Sequence, residues 1–291
     1  MTYLTKEDWN KYIVPKLIED QSFREEFIQI IKVHNILLEL INKFFPGLNN
    51  QMHQYILYSS MIYYNKYLLY NEYSHSNISE IKKVLICTSC VFLSCKLVSS
   101  FKNSKFFFPI DYFSVKILDY LLDKTNKKIK LEEINLQIIE KEKEILEALG
   151  LCMGIDDPYE FLRPLKIYLK DIQINDNMIN EIIGLVNKFI NESMLFPLFL
   201  YYTSYDIAIS CILLAKESKK YNFINLDNFI QRNKLIIDKE TVSQCAIYIS
   251  KVSTALKNVK KKEEEEYIQY SENDYIDFKV ISSIRTNFDH D

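Results

Sequence analysis

Two charged residues, Lys96 and Glu142, fall where helical periodicity calls for apolar ones. Lys96 is the penultimate residue of the run SCVFLSCKL (Ser89–Leu97), three and four residues after Leu93 and Phe92 and therefore on the same helix face. Glu142 lies four residues after Ile138 and four before Leu146, inside a stripe that also holds Ile134, Ile145 and Leu149. A charge so placed is costly unless something receives it. An ammonium offers three donors and a carboxylate only acceptors, so together they could grip exposed backbone carbonyls and amides of a partner helix. The leucines around them would supply an apolar anchor. The competing reading is that each charge reaches solvent or that the two pair incidentally. Two opposite charges, each embedded in an apolar face, weigh against it.

No other set of residues converges on chemistry. Cys87-Thr88-Ser89-Cys90 is a lone CxxC with no second ligand pair, and His34, His53, His75 and His290 are scattered, so a zinc site is not expected. A redox CxxC opens a helix, whereas this one follows the helical run EIKKVLI and reads as core packing. Phosphate-cradling and nucleophile-elbow motifs are missing, and four glycines leave little material for such loops. Asp156-Asp157 reads as a cap for a helix beginning near Pro158, and Glu263–Glu266 as a solvated helix face. The expectation is binding without catalysis: no catalytic residue, metal or cofactor.

The elements that must carry Lys96 and Glu142 are helices. Four glycines and six prolines in 291 residues leave few breakers among long Ile, Leu, Lys, Glu and Asn runs. Periodicity predicts helices at about 6–20, 22–45, 51–70, 78–99, 109–123 and 131–149. After the Gly-, Asp- and Pro-containing boundary Gly150–Tyr159, further helices are expected at about 158–170, 177–192, 205–219, 226–233 and 239–260. SCILLAK (Ser210–Lys216) echoes SCVFLSCK (Ser89–Lys96), with its lysine one residue early, which hints at two related bundles.

A formal charge of −3 provides no global attraction to nucleic acid or anionic membranes, and dispersed basic residues form no stripe. The polar N-terminus does not read as a signal peptide, and the apolar runs are too short or too interrupted to span a bilayer. Six cysteines, mostly within apolar helical runs, suit free buried thiols in a reducing compartment. An intracellular soluble protein is expected.

The residues resemble the cyclin family. CVFLSCKL is similar to the third helix of a first cyclin box, with Lys96 matching that helix's characteristic lysine. Ile138–Leu162 resembles the fifth helix and the crossing into the second box, with Glu142 matching its glutamate. DPYEFLRPLKIYLKD and LYYTSYDIAISCILLAKES look like the first and third helices of the second box. The resemblance covers about residues 30–257. It implies an all-α fold of tandem cyclin boxes, two five-helix bundles with additional terminal helices. The implied divisions are an N-terminal helix at 1–21, boxes at 22–155 and 156–257, and a charged helix or tail at 258–291.

That resemblance further implies that Lys96 and Glu142 hold the regulatory helix of a cyclin-dependent kinase N-lobe. Leu93, Leu97, Leu146, Leu151 and Met153 would receive its side chains. Docking would turn that helix inward, so that its glutamate pairs with the ATP-positioning lysine. The details are nearest to transcription-type cyclins, cyclin H above all, which implies a CDK-activating kinase as partner. An assembly factor, the general transcription machinery and a nuclear location, with the cytoplasm as a second compartment, go with that reading. The alternatives are a cyclin C, K, L or T type, or a DNA-binding fold like that of a general transcription factor. The chain departs from the family where acids usually follow the lysine: Leu97, Val98, Ser99 and Ser100 stand there instead. No apolar substrate-docking motif is visible on the first box, so no recruitment site is expected.

Overall fold

The breakers end the helices where the sequence places them. In the computed structural model, which describes residues 21–71, 78–101, 108–125 and 130–270, α1 (Gln21–Phe44) stops just before Pro46-Gly47. Gly47 takes a φ of +83°, a left-handed conformation that suits glycine. α2 (Asn50–Tyr70) starts at Asn49, whose side chain accepts from the Met52 amide. α3 (Glu80–Phe101), α4 (Ile110–Thr125, just after Pro109) and α5 (Leu131–Ala148) complete the first bundle. The helix expected over 6–20 and the tail beyond Tyr270 lie outside the described residues.

The second bundle holds α6 (Leu162–Asp171), α7 (Asp176–Ser193), α8 (Ser204–Lys219), α9 (Leu226–Arg232) and the start of α10 (Lys239–Tyr270). Two details differ from the periodicity. The helix expected at Pro158 opens as a tight 3₁₀ turn (Pro158–Phe161), capped by the Asp157 side chain on the Tyr159 amide. A second 3₁₀ turn, Leu198–Leu200, occupies a stretch with no helical expectation. Among the described residues there is no strand. Two compact units result: Met1–Ser253, which contains both bundles, and Thr254–Asp291.

α2 explains how the bundles meet. Its buried residues run from Ile56 through Asn65 without interruption, so it is covered on every side rather than along one stripe. In the first bundle it packs against α1, α3 and α5, and it reaches the second through the Leu198–Leu200 turn. There the Tyr58 ring meets Tyr159 and Phe199 edge-on at 6.1 and 6.2 Å, and the Gln54 amide donates to Asn187 Oδ1 at 3.0 Å. Polar side chains within this buried helix turn to its own backbone, Ser59 to the Tyr55 carbonyl and Asn65 to the Met61 carbonyl. Small residues let two helices approach closely: Ser60 and Ser94 bring α2 and α3 into hydroxyl contact at 3.1 Å.

The two bundles repeat one another in detail. Ser89 Oγ of α3 donates to the Ile138 carbonyl of α5 at 3.1 Å; Ser210 Oγ of α8 donates to the Val242 carbonyl of α10 at 2.8 Å. Asp111, second residue of α4, accepts from Asn135 at 2.6 Å; Asp227, second residue of α9, pairs with Lys239 at 2.7 Å. Two residues on, Phe113 and Phe229 are fully buried. The serine register sets Glu217 at the place of Lys96 and Ala246 at the place of Glu142. The lysine–glutamate pair therefore belongs to the first bundle.

Candidate helix-gripping site

α3 and α5 are held in register by the Ser89–Ile138 bond, and this register brings the two anomalous charges together. Lys96 Nζ lies 2.6 Å from Glu142 Oε1. The pair is asymmetric: the lysine side chain is 36% exposed and the glutamate side chain 12%. The carboxylate is sunk between α3 and α5, and the ammonium rides over the Phe92 ring, 4.2 Å from its centroid. The ammonium is thus the more accessible of the two charges. Such a half-buried pair can take charge-assisted hydrogen bonds from a helix terminus or an exposed turn.

The apolar residues assigned to this site divide by depth. Leu93 and Leu97 are buried in the bundle. Leu146, one turn beyond Glu142, and Met153 are half-buried, whereas Leu151 is 76% exposed. α5 ends with two consecutive left-handed residues, Gly150 at φ +56° and Leu151 at φ +60°. The Leu151 amide closes back on the Leu146 carbonyl at 2.9 Å, which satisfies a helix-end acceptor. This cap holds an exposed leucine in a conformation that non-glycine residues rarely adopt. Just beyond it, the Tyr63 hydroxyl of α2 donates to the Met153 carbonyl at 2.9 Å and ties down the linker.

Several supporting residues gave no sequence signal. On α5, Glu144 accepts from Lys141 and, at 2.9 Å, from the Tyr67 hydroxyl of α2. Burial pushes its carboxyl up, but these hydrogen bonds outweigh that and hold it below its ordinary value. Lys66 of α2 is half-buried, and desolvation lowers its ammonium, with the Cys152 thiol acting in the opposite direction. Lys83 is buried on α3, where it donates to Gln29 of α1 at 2.7 Å and Glu80 at 3.0 Å. Nothing in the spacing of EIKKVL separates Lys83 from its exposed neighbours; only the partner Gln29 does.

Cys87 and Cys90 both lie in the core, where burial pushes their thiols up. Five of the six cysteines are buried, and Cys152 is exposed in the linker. Among the described residues no group of three or more His, Cys, Asp or Glu side chains is placed to hold a metal ion. No described helix is long and apolar enough to cross a membrane.

Cyclin-C1-2 of Arabidopsis thaliana is 29% identical over 149 residues, 51% of this chain and 52% of that protein. The chain is similar to a cyclin. The match spans about half the length of that curated relative. No family model matches the cyclin-like chain. Among solved structures, a viral cyclin from herpesvirus saimiri aligns with 79% of the chain and 86% of its own, at 16% identity and a TM-score of 0.49. A chain of the CAK complex of Chaetomium thermophilum bound to ATP-γ-S aligns over 92% and 81%, at 13% identity and a TM-score of 0.48.

Proposed function

We propose that the chain is a cyclin, the regulatory subunit that binds and activates a cyclin-dependent protein kinase, and that it performs no catalysis itself. The observation that carries this reading is the Lys96–Glu142 pair, half-buried at 2.6 Å between the third and fifth helices of the first bundle. Lys96 meets the kinase's regulatory helix, Glu142 orients the ammonium, and Leu146, Leu151 and Met153 receive apolar side chains. Leu93 and Leu97 act from beneath, by fixing where Lys96 stands. Because the grip fits the inward position of the kinase helix better than the outward one, binding shifts the kinase toward its active state.

The finer assignment follows the same line. Likeness to a C-type cyclin supports a transcription-type member working in the nucleus, and the second-box residues favour the cyclin H type and a CDK-activating kinase. An assembly factor and the general transcription machinery complete the proposed set of partners. On this reading the two boxes run over 22–155 and 156–257, flanked by the segments 1–21 and 258–291. The DNA-binding alternative has the weaker support, since a chain of formal charge −3 with dispersed lysines lacks the electrostatic footprint such proteins need.

Affinity purification of the tagged protein from its native cell, followed by mass spectrometry, tests the reading. A co-purifying cyclin-dependent kinase whose activity rises on adding the chain is the expected result. A preparation with no kinase that shifts DNA in a salt-dependent manner would overturn it.

A further inference from the structure

The second bundle is left open where the first is filled. In the first bundle α4 has 16 residues, and 24 residues separate Asp111 from its partner Asn135. In the second, α9 has 7 residues, and 12 separate Asp227 from Lys239. The latter half of α4 carries Ile117 and Leu121 into the core of its bundle, both buried. The matching helix stops at Arg232, turns through Lys234 at φ +52° and crosses to α10 as Leu235-Ile236-Ile237.

A groove of about 440 Å³ lies between α8, α9 and α10, walled by Leu213, Lys216, Ile230, Val242 and Ser243. The repeat shows that it occupies the place of the missing helical turns. The first-bundle counterparts of Leu213 and Lys239 are Phe92 and Asn135, and α4 covers both. The Phe113 ring meets Phe92 at 5.0 Å, and Asp111 accepts from Asn135.

Two further observations bear on what fills the groove. Its mouth is apolar and wet: Ile236 is 98% exposed beside the lining residue Ile237, and Phe223 is exposed between the lining residues Asn222 and Ile224. Its charge is positive. Lys239 is paired with Asp227, but Lys216 is half-buried in the wall and has no ionic partner among the described residues. An aliphatic helix bearing a carboxylate complements both features.

We propose that this groove docks a carboxylate-bearing amphipathic helix of a partner protein, lying where the absent second half of α9 would lie. Aliphatic side chains at i, i+3 or i+4, and i+7 enter toward Leu213, Ile230 and Val242, and a carboxylate meets Lys216. The inference goes beyond kinase binding and does not depend on it, because the groove belongs to the second bundle and shares no residue with the Lys96–Glu142 site.

The probe is a fluorescein-labelled peptide of residues 114–125 (SVKILDYLLDKT), the first-bundle helix whose second-bundle counterpart is missing. Titrated with the full-length chain and followed by fluorescence anisotropy, it should bind saturably and more weakly as salt rises. Ser243→Trp, which fills the groove from an exposed position, should weaken binding at least about tenfold, and Lys216→Glu by about tenfold. A peptide with Asp119 and Asp123 changed to Lys should lose a similar factor. Leu213→Arg serves as a second blocking variant, with thermal melting to verify that each variant is folded. Absence of saturable binding, equal binding by folded Ser243→Trp and Lys216→Glu, or equal binding of the lysine-bearing peptide would each overturn the proposal. So would concentration-dependent self-association abolished by Ser243→Trp, which would make a second copy the occupant.

Discussion

Removing Lys96 should destabilise the fold more than removing Lys96 and Glu142 together. The Glu142 side chain is 12% exposed and its oxygen lies 2.6 Å from the ammonium. Lys96→Met therefore leaves a largely buried carboxylate without its counter-charge. A fully buried orphan of this kind costs roughly 3–5 kcal/mol. With more than a third of the lysine side chain open, water can enter in its place, and about 2 kcal/mol is the better expectation. Glu142→Gln leaves an ammonium that can turn outward, at about 1 kcal/mol. In Lys96→Met/Glu142→Gln no charge remains to be stranded, so its cost should fall about 1.5–2 kcal/mol short of the sum, below that of Lys96→Met alone. Urea denaturation of the four proteins at pH 7, with a shared slope, measures the cycle. Additivity within about 0.5 kcal/mol would refute the coupling. The functional arm uses Lys96→Ala/Glu142→Ala with the co-purified kinase. The double variant should remain folded while activation weakens about 30-fold, the equivalent of losing about 2 kcal/mol of binding. Undiminished activation would remove the pair from the proposed mechanism.

Two other perturbations separate folding from binding. Leu151→Gly should leave stability unchanged or raise it by up to about 1 kcal/mol, since the left-handed backbone suits glycine and the leucine side chain is mostly exposed. The same variant should weaken kinase binding, and a loss of stability with binding intact would contradict the role given to Leu151. Burial lowers the His34 imidazole from 6.5 to about 4, with a hydrogen bond to the Asn35 side chain opposing the effect and His53 adding to it. As pH falls through 6.5 the unfolded chain takes up a proton that the fold refuses, so stability is lost between pH 6.5 and 4, by about 3 kcal/mol at most. His34→Leu should flatten this part of the urea-midpoint profile, and an unchanged slope would show that other groups carry it.

Helix content was legible in the sequence because its signals are local. Pro46-Gly47, Pro109 and Gly150 stop and start helices through backbone geometry that needs no distant partner. Lys96 and Glu142 were legible for a related reason: each breaks the periodicity of its own helix. The 3₁₀ turn at Leu198–Leu200 carried no such mark. It forms where the chain closes against Tyr58 of α2, a contact between bundles. Lys83 was equally silent, since its burial depends on Gln29, 54 residues away.

The sequence by itself determined that the chain would be helical, where most helices would end, and that two charges stood on apolar faces. Tertiary structure decided that those charges meet, because the α3–α5 register is set by a serine bonding a carbonyl on another helix. It also decided depth. The family resemblance assigns Leu93, Leu97, Leu146 and Leu151 to the site alike, but only packing shows that the first two are buried and that Leu151 is exposed. Depth depends on what lies across a helix face, and one helix's own spacing carries no record of that.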